Sequence, residues 1–150
     1  MEKFKCFTQT LYSFGNLDFS AILEDISSAE YIILSKIEEY TNKNKVEYIN
    51  VTKLSEELKV STPAVSRILK GLETKKLLSK TVDIFCKRNT KVKLTEAGTK
   101  LVEKSYQRFE IFFEEIFKES TSEEQEVIIE TLKVVYTKMY DNLQKYKGVI

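Results

Sequence analysis

The stretch from Thr52 to Leu72 constrains this chain more than any other. Leu54 and Leu58 share one helical face, and Val65, Ile68, Leu69 and Leu72 share another a few residues later. The second run opens on Ser61-Thr62-Pro63, which holds the only proline. Proline suits the first turn of a helix, where its missing N–H has no intrahelical partner to lose. Thr52 is expected to cap the first helix, and Ser61 or Thr62 the second. Two short helices joined by a tight turn, with Leu58 and Val60 bracketing it, form a helix-turn-helix. The second helix has a bare front of Thr62, Ala64, Ser66 and Arg67. A helix that only filled a core has no need of such a front. A helix that enters the major groove of DNA needs it, because small and hydrogen-bonding side chains must reach base edges.

Charge points the same way. The net charge is only +1, but it is unevenly spread. Residues 1–50 carry 5 basic and 8 acidic side chains, residues 51–100 carry 12 and 5, and residues 101–150 carry 7 and 10. A basic middle third between acidic flanks implies a polyanionic partner met by that third. Lys70, Lys75, Lys76 and Lys80 follow the bare helix front closely enough to reach phosphates.

The runs Leu77–Ile84 and Thr90–Leu94 are β-prone and predict a hairpin. Its tip, Phe85-Cys86-Lys87-Arg88-Asn89, is basic. Lys87, Arg88, Lys91 and Lys93 on such a wing can track a phosphate backbone, and Arg88 can enter a minor groove. A brief strand is expected at Glu47–Asn50.

Flanking this region, Phe4, Phe7, Leu11 and Phe14 show helical spacing before an interruption at Gly15-Asn16. One bent helix or two short ones are expected there. Ser27 or Ser28 can cap the next helix with Glu30 in its first turn, and that helix should stop near Thr41-Asn42. Thr95 should cap a helix over 95–118, followed by another over 122–146. Their apolar stripes, from Leu101 to Phe117 and from Val127 to Leu143, are wider than one small domain can cover and predict association of two chains.

The order of these elements, the stretch VSTPAVSRILKGLE, the basic wing and the closing KVKLTEAG resemble the MarR family of winged-helix transcription regulators. The resemblance spans nearly the whole chain. It implies a mostly α fold with a small β-hairpin wing, in which a winged helix-turn-helix region, 27–94, is flanked by dimerisation helices, 1–26 and 95–150. It also implies a homodimeric repressor on a pseudo-palindromic double-stranded DNA operator, released by a small ligand or by oxidation. The DNA-contacting residues would be Ser61, Thr62, Pro63, Ala64, Ser66, Arg67, Lys70, Lys87, Arg88 and Lys91.

Two departures from the family pattern stand out. Cys86 occupies the place of the aspartate that usually orients the wing arginine, here Arg88. Lys76 occupies the place of the glycine that usually ends the recognition helix, so a different turn is expected there. A small aromatic effector, if bound, would meet Tyr12, Phe14, Phe19, Tyr31 and Tyr48. Cys6 is the candidate redox residue, with Lys3 and Lys5 nearby to lower its pKa.

The chain contains no histidine, and its two cysteines are far apart. That removes the commonest general base and most zinc sites. No phosphate loop, nucleophile elbow or dinucleotide fingerprint is present. Neither an enzyme nor a bound cofactor is expected. No apolar run approaches the roughly 18 residues of a membrane span, so no membrane partner is expected. Cysteine usage, and a start that lacks the long apolar block and small-residue cleavage site of a signal peptide, point to a reducing, cytoplasmic setting. The rival readings are a DNA-binding regulator without an effector and a winged-helix module for protein contacts.

Overall fold

The computed structural model describes residues 2–23, 25–82 and 90–147. They form α1 (Glu2–Gly15), α2 (Ser20–Leu23), α3 (Ser28–Asn44), β1 (Ile49–Asn50), α4 (Val51–Leu58), α5 (Thr62–Thr74), β2 (Leu78–Val82), β3 (Thr90–Leu94), α6 (Glu96–Phe117) and α7 (Ser122–Lys147). Two compact units divide within α6, one covering residues 1–108 and the other 109–150. The fold is mostly helical with one small sheet, as expected. Among the described residues, no helix is long and apolar enough to cross a membrane.

In the first unit, α3, α4 and α5 bury one apolar face each. Ile33, Leu34 and Ile37 come from α3, Leu54 from α4, and Val65, Leu69 and Leu72 from α5. The sheet closes this core with Ile49, Leu78 and Val92, each at most 3% exposed. Its strands are antiparallel in the order β1-β3-β2. Val92 on the central strand lies opposite Ile49 on one side and Lys80 on the other. Leu23, Ile26, Val51 and, from the start of α6, Val102 complete the buried hydrophobic set among the described residues.

Local chemistry sets most helix ends. Ser27 and Glu30 form a reciprocal capping box at the start of α3. Thr121 and Glu124 do the same for α7, at 2.8 and 3.2 Å. The cap of α4 is Asn50 and not Thr52: Asn50 Oδ1 accepts the Lys53 N–H at 2.8 Å, and helical geometry already begins at Val51. The third helix runs on to Asn44, past the expected stop, because Lys45 adopts the left-handed conformation that closes it. The interruption after Gly15 yields two separate helices, the second a single turn.

The second unit, by itself, carries the later part of α6 and all of α7. Phe109, Phe113 and Phe117 stack at one-turn intervals, with centroids 6.1 and 6.4 Å apart. Phe112, Phe113, Ile116, Val127, Ile128, Leu132, Tyr136 and Leu143 are all exposed. In the first unit α1 buries no residue, and Phe4 and Phe14 are 78% and 59% exposed.

Candidate nucleic-acid interface

The α5 helix is held by Val65, Leu69 and Leu72, with Ile68 half-buried beside them. Ser61, Thr62, Pro63, Ser66, Arg67 and Lys70 are exposed on the remaining surface, and Ala64 is half-buried. Ser61 is the N-cap residue, in extended geometry, and its side chain makes no capping bond. Its exposed hydroxyl is thus not used to cap the first turn of α5. Thr62 is different: its hydroxyl lies 3.0 Å from Ser55 Oγ in α4. This contact ties the front of α5 to the preceding helix across the turn.

Four further contacts fix the other end of α5. Lys76 N–H donates to the Glu73 carbonyl at 2.9 Å and Leu77 N–H to the Leu72 carbonyl at 3.0 Å. That pair is the Schellman pattern that glycine usually closes. Lys76 closes it here, at φ 59°. The expectation of a different turn is thus corrected: the turn is the usual one, with a lysine forced into its left-handed position. Thr95 binds the same corner, its hydroxyl donating to the Lys76 carbonyl at 2.8 Å and its N–H to the Leu77 carbonyl at 3.1 Å. The Thr95 hydroxyl also accepts the Gly98 N–H at 3.1 Å, capping α6.

Charge on this surface is more restricted than the sequence implies. Lys75 Nζ is committed to Glu30, at 2.9 and 3.0 Å to its two carboxylate oxygens, and donates to the Asp25 carbonyl at 3.1 Å. Lys80 pairs with Glu73 at 2.9 Å. These two lysines serve the domain before any partner, whereas Lys70 stands exposed on the α5 surface. Burial alone would raise the Glu30 pKa, but the Ser27 N–H and the Lys75 ammonium outweigh it and hold the carboxyl below its ordinary value.

At the root of the wing, Lys91 lies opposite Asn50 on β1 and Thr81 on β2. Its ammonium donates to the Tyr48 hydroxyl at 3.1 Å and sits 4.2 Å from the centre of that ring. Lys93 is 4.0 Å from Glu47. The expected tip residues Cys86, Lys87 and Arg88 lie outside the described residues.

Among the five aromatic residues expected to meet an effector, Tyr48 borders a cavity of about 540 Å³ with Tyr40, Asn50, Lys53 and Lys91, and none of the other four lines it. Tyr12 and Phe14 are exposed, while Phe19 and Tyr31 are half-buried. Burial raises the Tyr31 hydroxyl pKa, with Glu38 and Tyr106 adding to it. Cys6 is an exposed thiol on α1. Sequence reasoning missed Ser55, a polar residue only 6% exposed. A serine on the apolar side of α4, next to Leu54 and beside Val51 and Leu58 at helical spacing, was the available signal.

A three-helix core with two helices joined by a tight turn, backed by a three-stranded sheet, defines a winged helix-turn-helix protein. No family model matches the sequence, and no curated protein matches it. Solved structures do. A cysteine-to-serine mutant of MarR from E. coli, complexed with operator DNA, is 26% identical with a TM-score of 0.64, over 77% of this chain and 81% of that one. A mutant of MepR from S. aureus is 24% identical with a TM-score of 0.61, over 95% and 96% of the two chains. PcaV from Streptomyces coelicolor, a transcriptional regulator bound to its natural ligand, reaches a TM-score of 0.71 at 16% identity, over 87% and 89%. The chain thus has the winged-helix fold of these solved MarR-type regulators, in line with the resemblance seen in the sequence.

Proposed function

We propose that this chain is a sequence-specific, DNA-binding transcriptional regulator that works in the cytoplasm as a homodimer on a pseudo-palindromic operator. The observation that carries the reading is the front of α5: Ser61, Thr62, Ser66, Arg67 and Lys70 exposed together, on a helix whose opposite side is buried. Arg67 is suited to a guanine edge, and Lys70 to a phosphate. Lys87, Arg88 and Lys91 extend the contact along the wing. Two copies would place two such helices roughly 34 Å apart, one turn of DNA. The exposed apolar residues of α1, α6 and α7 supply the surface for pairing, because a monomer would leave them in water.

The test is binding to a selected duplex over a range of salt. Several lysine and arginine contacts to phosphate predict an affinity that falls steeply and log-linearly as salt rises. A flat salt response, or equal binding to every duplex, would reject the proposal and favour a protein-contact module. Release by a small ligand or through Cys6 belongs to the same reading. A candidate effector should lower operator affinity, and peroxide should do so for wild type but not for Cys6→Ser.

A further inference from the structure

The exposed helix front contains one hydroxyl whose proton is accounted for. Ser55 Oγ lies 2.7 Å from the Thr52 carbonyl oxygen. A carbonyl oxygen can only accept, so the single Ser55 proton is used there. Ser55 Oγ is also 3.0 Å from Thr62 Oγ1. With the Ser55 proton committed, Thr62 must be the donor in that contact. The Thr62 hydroxyl therefore directs its proton back into the domain. What it offers outward is the oxygen's remaining acceptor capacity.

We infer that Thr62 reads DNA as an acceptor only, its partner in the major groove being an exocyclic amino group, N4 of cytosine or N6 of adenine. Purine N7, guanine O6, thymine O4 and phosphate oxygens all need a donor, which Thr62 does not have to give. Ser55 acts through Thr62 and is a positioning residue: it fixes the polarity of a contact it never makes. This inference rests on α5 being the recognition helix.

The test uses the full chain. Wild type first selects its operator from a random duplex library. Each position of the operator is then replaced by analogues that each delete one group. Pyrimidin-2-one for cytosine and unsubstituted purine for adenine remove the amino group, and 7-deazapurines remove the N7 acceptor. Affinities are measured for wild type, Thr62→Val, Thr62→Ser and Ser55→Ala, each checked for an intact fold by thermal unfolding.

At one position in each half-site, deleting the amino group should weaken wild type by about threefold to tenfold. The same deletion should cost Thr62→Val nothing, and Thr62→Ser should behave as wild type does. The 7-deaza substitutions should affect wild type and Thr62→Val equally. In Ser55→Ala the Thr62 hydroxyl is free to turn, and the dependence on the amino group should shrink. Coupling of Thr62→Val to a 7-deaza position, or to no substitution at all, would overturn the inference while leaving DNA recognition by α5 standing. Selection of no duplex by wild type would instead remove the recognition helix itself, and the inference with it.

Discussion

Gly98 in α6 is pressed against the backbone of Leu77: a Cβ placed on Gly98 would lie 1.9 Å from the Leu77 carbonyl oxygen. The same oxygen accepts the Thr95 N–H. The start of α6 and the exit from α5 thus share one crowded corner, and only glycine fits there. This gives the LTEAG stretch a physical meaning, since its threonine and its glycine both contact the residues that end α5.

Gly98→Ala should therefore be severely destabilising. Backbone atoms, not a flexible side chain, would have to move, at a cost of about 3 kcal/mol or more. Thermal unfolding should show a drop of roughly 10 °C. Gly71→Ala is the contrasting case. A Cβ there would meet only Glu30 Oε1, at 3.8 Å. It should raise stability by about 0.5–1 kcal/mol through helix propensity.

Lys76→Gly should stabilise the fold. Lys76 sits at φ 59° with an exposed side chain. A left-handed conformation costs a non-glycine residue about 1–2 kcal/mol, partly offset by the greater entropy of glycine in the unfolded chain. A net gain of about 0.5–1 kcal/mol in denaturant unfolding is expected, and a loss would contradict the assigned turn.

Glu30→Gln should weaken the tie between α3 and α5 by about 1 kcal/mol at neutral pH. The folded carboxyl titrates below its ordinary value of 4.5, so its contribution is complete above that pH and is lost as pH falls through the folded value. The stability gap between wild type and Glu30→Gln should close in acid. Glu38 has the opposite sign. Burial and the charge of Glu103 raise its pKa, so the ionised form opposes folding near neutrality and Glu38→Gln should be stabilising there.

The helix-turn-helix and its flanks were legible because their signals are local. Ser27 with Glu30 spells a capping box in four residues, and Pro63 marks a first turn. Contacts between distant residues were not legible. Lys75 and Glu30 are 45 positions apart, so a lysine that looked available for phosphate is engaged elsewhere. Asn50 and Thr52 are both good caps, and backbone geometry chose Asn50. Lys76 was misread because a glycine rule was applied to a corner whose strain Thr95 and Leu77 help to hold. Ser55 escaped notice because its role depends on where Thr62 lies in space.

Lys70→Ala and Lys75→Gln should separate in their effect on DNA. Lys70 is exposed, and its loss should weaken all duplexes alike and lower the salt slope by about 1. Lys75 is held by Glu30 and the Asp25 carbonyl, and its loss should reduce stability with little change in slope. Arg67→Ala should relax base preference at a cost of about 1–3 kcal/mol.

Leu132→Glu should convert a dimer to a monomer in sedimentation at micromolar concentration. Leu132 is 55% exposed, so a charge there leaves the folded chain undisturbed but cannot be buried against a second copy. Wild type sedimenting as a monomer would remove the pairing.

Selection of duplexes from a random library by the purified protein, at moderate salt, tests the central claim most directly. Enrichment of a two-fold related motif, its half-sites about one helical turn apart, is the predicted result, with the enrichment lost in Arg67→Ala. Recovery of no motif by wild type, or of the same motif with equal affinity by Arg67→Ala, would contradict it.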